Sequence, residues 1–136
     1  MTQEDKELLL KDLCARIPYG VKMNHIADDE HSPKTLIGVA KDMITLEGLG
    51  GYECVDTEDY KPYLFPLSSI TIEQEKELSK LGVSYGEYAL HDDIRGLGIM
   101  VDEAYIFFEF CYKHHIDFLG LIEKGLAIDA TGLNIY

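Results

Sequence analysis

The chain has 136 residues, 46% of them hydrophobic and 27% charged, a balance too apolar for disorder, and no apolar run reaches the roughly 18 residues that cross a bilayer. The 12 basic and 25 acidic residues give a formal charge of −13, which opposes non-specific approach to a phosphate backbone and speaks against direct nucleic-acid binding. The length fits one domain, residues 1–136, large enough to bury roughly two thirds of its unfolded surface without a disulfide or a metal.

In chain order, Thr2 with Asp5 opens a helix in the manner of a capping box. Leu9, Leu10, Leu13, Cys14 and Ile17 share one face of it, and Pro18 with Gly20 ends it. The period then drops to two: Val21, Met23 and His25 alternate with Lys22, Asn24 and Ile26, as in a half-exposed strand. Residues 27–34 form a polar loop. Residues 36–40 and 43–47 predict two strands joined at Lys41 and Asp42, and Gly48, Gly50 and Gly51 predict the next loop. The segment from Tyr60 to Leu67 is bracketed by Pro62 and Pro66; neither proline can donate to a ladder, so it predicts an edge strand. Thr71 with Gln74 caps a short helix over residues 72–81, closed by Gly82.

The last third carries the densest apolar content. Winding residues 103–116 at about 100° per residue puts Ile106, Glu109 and Lys113 on one stripe with Asp102. Ala104, Phe107, Phe108, Phe110, Cys111 and Tyr112 cover most of the remaining circumference, so protein must wrap this helix, and it is expected to centre the core. The element order predicts an α+β fold: an N-terminal helix, a small antiparallel β-meander and C-terminal aromatic-rich helices. The strand spacing also suits a small SH3-like barrel.

Three blocks, residues 6–22 (KELLLKDLCARIPYGVK), 61–69 (KPYLFPLSS) and 114–127 (HHIDFLGLIEKGLA), together resemble a family of small uncharacterised proteins abundant in gut anaerobic bacteria and their phages and mobile elements. The family has no established activity, so the resemblance implies no catalytic residue. Phe118 and Leu119 stand where the family pattern carries Tyr or Arg before the final Gly-Leu-Ile.

No stretch carries a complete catalytic, metal or cofactor signature. His91 and Asp92 have the residue types of a metal-dependent phosphohydrolase pair, and His25, His31, His114 and His115 are the other imidazoles. A solvated loop is the plain reading of residues 91–93. His25, Asp28, Asp29, Glu30 and His31 crowd one loop but lack the ligand order of a calcium loop, and they read as a charged hairpin tip. A protonated imidazole at His114 or His115 would favour the C-terminal dipole of the aromatic helix. Gly48–Gly51 and Gly96–Gly98 fit turns better than phosphate loops, and Ser68, Ser69 and Thr71 fit helix capping better than a nucleophile elbow. Cys14, Cys54 and Cys111 are an odd, widely spaced set, expected to be buried thiols in a reducing compartment.

The strongest binding candidates are Tyr60, Tyr63 and Phe65, aromatic contact area on a stiff extended strand. The acidic N-terminus lacks the basic region of a signal peptide, which suggests the cytoplasm. The sequence therefore predicts a non-enzymatic accessory protein that needs no cofactor and binds another protein through an acidic surface, with no membrane or nucleic-acid partner. Two alternatives come from other classes. One is a small-molecule or nucleotide binder with an aromatic pocket between the strands and the C-terminal helix, using some of the nine tyrosines. The other is a metal-dependent hydrolase centred on His91 and Asp92.

Overall fold

The computed structural model describes residues 1–82 and 101–136, with side chains from residue 104 in the second segment. The fold is α+β with an open sheet. Helix α1 (Gln3–Arg16) begins on a capping box: the Thr2 hydroxyl accepts from the Asp5 N–H at 3.1 Å and the Asp5 carboxylate accepts from the Thr2 N–H at 3.3 Å. A short 3-10 turn (Ile17–Tyr19) follows, and Gly20, at φ 68°, releases the chain into the sheet.

Strands β1 (Lys22–His25), β2 (Lys34–Val39), β3 (Met43–Gly48) and β4 (Gly51–Asp56) form an antiparallel meander, with a bulge between Leu36 and Gly38. Strand β5 (Tyr60–Pro66) returns to pair antiparallel with β1. Helix α2 (Ile72–Lys80) carries the capping box read from Thr71 and Gln74, and Gly82 ends it at φ 91°. Helix α3 (Val101–Lys113) leads into β6 (Ile116–Asp117) and β7 (Ile128–Asp129), two short strands that both pair parallel with β5. The order is β4-β3-β2-β1-β5-β6, with β7 also on β5. The sheet stays open, so the SH3-like barrel is not formed.

Two apolar clusters replace the single core expected around the aromatic helix. The larger packs Leu9 and Leu13 of α1 on Val21, Met23, Leu36, Ile44, Leu46, Tyr60 and Leu64 of the sheet, with Leu121 and Leu126 closing it. The second joins Leu78 of α2 to Phe107, Phe110, Cys111 and Ile116. Phe108, expected inside, is half-buried and stacks on Phe118 with ring centroids 4.8 Å apart. The inward face of α1 is also rotated from the expected one. Asp12 and Arg16 are buried, while Cys14 is exposed, because the two opposite charges neutralise each other inside. Cys54 is exposed too, so of the three thiols expected inside only Cys111 is buried.

Candidate functional site

Strand β5 is not an edge. It has β1 on one side, and on the other β6 and β7 pair along Tyr63–Pro66. Those two short strands come from residues with no period-two pattern, so the prolines were the only signal legible in the sequence. Tyr60 lies in the larger core, Tyr63 is fully buried and Phe65 is half-buried. The three aromatic residues expected to offer contact area are spent on packing instead.

Tyr63 and Phe65 turn to the face opposite the core and are covered there from two directions. His31, in the left-handed region at φ 54°, brings Nδ1 to 2.6 Å from the Tyr63 hydroxyl. Burial, reinforced by the Asp28 carboxylate, pushes the Tyr63 phenol up to about 12. The phenol stays neutral and can donate to that nitrogen. From the other side Tyr136 bridges two strands: its hydroxyl accepts from the Lys22 N–H at 2.9 Å and donates to the Tyr63 carbonyl at 2.7 Å. Its ring stacks on His115 at 3.7 Å with planes 10° apart. His115 ends α3 at φ 59°, with Nδ1 buried and without a hydrogen-bond partner among the described residues. Burial, with Arg16 nearby, lowers its pKa to about 4. The imidazole is therefore neutral and does not supply the positive charge expected at the helix end. Its neighbour His114 instead meets Glu77 of α2 at 2.9 Å.

A second polar cluster lies wholly inside. Arg16 Nε donates to Asp12 Oδ2 at 2.7 Å, Nη2 donates to the Ile116 carbonyl at 2.7 Å, and the guanidinium lies 5.1 Å from the Tyr112 ring centroid. Asp117 accepts from the backbone N–H groups of Leu119, Leu121 and Ile122, which orders the turn after β6. Burial pushes the nearby Cys111 thiol far up, so it has no thiolate character. The cluster ties α1 to α3 and β6.

At the end of β1 and in the loop after it, His25 and Asp28 serve the backbone. Asp28 accepts from the Glu30 and Ser32 N–H groups, which hold its carboxyl below the usual range, and His25 Nδ1 accepts from the Ala27 N–H. Among the described residues no three His, Cys, Asp or Glu side chains are grouped to hold a metal. His91 and Asp92 lie outside the described residues. A cavity of about 340 Å³ opens between Lys6, Leu9 and Leu10 of α1 and the turns carrying Lys41, Asp42 and Asp56–Glu58. The Lys6–Glu58 ion pair lies in its wall, and the aromatic side chains expected to line a pocket are not part of it.

The accessible surface lies at the other end of the sheet. In β3 and β4 the pairs Ile44↔Val55 and Leu46↔Glu53 alternate with Met43↔Asp56, Thr45↔Cys54 and Glu47↔Tyr52. The first set includes core residues of the α1 side. The second set faces outward, with Met43, Glu47, Tyr52 and Cys54 exposed, Tyr52 to 72%, while Asp56 at the strand's end turns its carboxylate to the Glu58 N–H beside the cavity. Strand β4 is the last in the sheet, so its outer edge has no ladder partner among the described residues. Sequence reading missed this strand because Gly48, Gly50 and Gly51 read as a loop. Its alternation, Tyr52, Cys54 and Asp56 against Glu53 and Val55, carries no apolar period that would have found it. Among the described residues no helix is long and apolar enough to cross a membrane. In comparisons with known proteins the chain matches no family model, no curated protein and no solved structure.

Proposed function

We propose that this chain is a non-enzymatic accessory protein that binds another protein through the uncovered end of its sheet, β3 and β4. The observation that carries the reading is the six-residue terminal strand β4, exposed on its outward face and with no ladder partner along its outer edge among the described residues, with Tyr52 near its start. Exposed aromatic side chains beside unpaired backbone groups are the means by which sheets take up partners. The described polar clusters support the same reading from the other side. The Arg16 cluster is sealed in the interior, and Tyr63 and His115 are held neutral and bonded or stacked into the fold. The acidic composition suits a basic partner surface, and association with a phage or mobile element rests on the resemblance of the three sequence blocks.

A pull-down from lysate of the host cell at low salt, where contacts to acidic groups are strongest, tests the proposal. The wild-type chain should recover a partner that the Met43→Asp/Tyr52→Asp variant loses and that a Tyr105→Asp control retains; Tyr105 is exposed on α3, away from the sheet end. Recovery of no partner, or equal recovery by all three proteins, overturns it.

A further inference from the structure

We infer that the slot filled by Tyr136 is a binding site for a phenol, and that residues 132–136 are a strap that occupies it in cis and opens it to a free phenol or another tyrosine side chain on lifting. The slot lies between β1 and β5, away from β4, so it does not depend on the proposed partner. Its occupant shows what fits. The β1–β5 ladder ends at Met23 and Pro62, and at the next position the Tyr136 hydroxyl stands between the strands, accepting from the Lys22 N–H at 2.9 Å and donating to the Tyr63 carbonyl at 2.7 Å. One atom must therefore both accept and donate. A phenol does so, and burial keeps this one protonated, whereas an indole N–H only donates and an aryl ether only accepts. The ring lies flat on the His115 imidazole, 3.7 Å away, with the Phe65 ring at 5.9 Å, which suits a planar aromatic body.

Little else holds the strap. Residues 132–134 are exposed, Ile135 is half-buried, and Gly132 and Asn134 stand in the left-handed region at φ 75° and 53°. Among the described residues the last backbone hydrogen bond of the strap runs from the Leu133 N–H to the Ala130 carbonyl, and residues 134–136 are hydrogen-bonded only through the Tyr136 hydroxyl. Tyr136 keeps 44% of its surface exposed, so the slot is open to solvent along the ring. The strap lifts by breaking two hydrogen bonds and the ring contacts, while the larger apolar cluster and the helices stay in place; this is a local opening.

Binding of p-cresol, toluene and 4-methylanisole to the Tyr136→Ala variant, read by thermal shift and by exchange of the Lys22 amide, tests the inference. p-Cresol should raise the melting temperature saturably and slow the Lys22 amide. Toluene and 4-methylanisole should bind at least about tenfold more weakly, because each leaves the Lys22 N–H or the Tyr63 carbonyl unpaired. Tyr136→Phe, whose ring still fills the slot, should bind none of them. A peptide with the sequence of residues 132–136 separates the two sources: tighter binding than p-cresol makes the ligand a tyrosine within a segment, and weaker binding makes it a free phenol. Equal binding of the three probes, which marks a mere apolar hole, no binding of p-cresol, or equal binding of p-cresol by Tyr136→Phe overturns the inference. In the wild-type chain the Lys22 amide should exchange at a rate that low urea leaves unchanged. A rate that rises with urea in step with global unfolding shows that the strap does not lift, and overturns the inference even where Tyr136→Ala fails to fold.

Discussion

Arg16 and Asp12 sit one turn apart on α1 with Nε and Oδ2 2.7 Å apart and no side-chain surface exposed, yet among the described residues Arg16 Nη1 and Asp12 Oδ1 each have no partner. Burial pushes the Asp12 carboxyl up and Arg16 pulls it back down. Such a pair stabilises little against an apolar replacement, but breaking it strands a charge. Arg16→Met should therefore cost about 3 to 5 kcal/mol, whereas Asp12→Leu with Arg16→Met should lie near wild type or above it. Urea denaturation of the three proteins checks this; equal losses for the single and double variants would show that the pair is not isolated from solvent.

Phe110 fills the second cluster from α3 and is almost completely buried. Phe110→Ala should cost about 3 to 5 kcal/mol, and Glu109→Ala, one residue away on the exposed side, no more than about 0.5. Phe108→Ala should fall between them, because Phe108 is half-buried against Phe118. Thermal melts of the three variants give the order directly.

These helices show what a one-dimensional pattern carries. The capping boxes at Thr2 and Thr71, the period-two run at residues 21–26 and the hairpin around Lys41 and Asp42 are local signals, and the elements form where they predict. Facing is not local. Cys14 lies on the apolar stripe of α1, but Asp12 and Arg16 take the inward positions, where Arg16 Nη2 donates to a carbonyl 100 residues away, that of Ile116. Strands β6 and β7, two residues each, are too short to leave a period, and without them β5 reads as an edge and its tyrosines as a surface. The candidate binding end was hidden for a related reason: β4 alternates Tyr52, Cys54 and Asp56 with Glu53 and Val55, which leaves no apolar period to read.

Neutral His115 makes stability depend on pH with a definite sign. Its pKa falls from 6.5 in the unfolded chain to about 4 in the fold, so between those values the unfolded chain binds more protons. The contribution is whole above pH 6.5 and is lost as pH falls toward about 4. His115→Asn, which tolerates the left-handed backbone at φ 59°, should flatten the stability profile across that window. Glu77, held low chiefly by Lys113 and then His114, adds its own loss only at lower pH, below its ordinary value of 4.5. Denaturation midpoints taken across the range test both; an unchanged slope in His115→Asn would contradict the assignment.

Tyr136 joins β1 to β5 through one hydroxyl. Tyr136→Phe keeps the ring stacked on His115 but removes the bonds to the Lys22 N–H and the Tyr63 carbonyl. The expected loss is about 1 to 3 kcal/mol, with faster amide exchange at Lys22. No change in either quantity would mean that the hydroxyl does not hold the two strands together.

The most direct test of protein binding at the sheet end is hydrogen exchange of the chain, free and saturated with the partner recovered in the pull-down. Amide exchange should slow across Gly51–Asp56 and stay unchanged across Tyr60–Pro66, which is already enclosed by its neighbours. Protection confined to the α2–α3 surface around Glu77, Phe110 and Lys113, with β4 exchanging as in the free chain, would contradict the account.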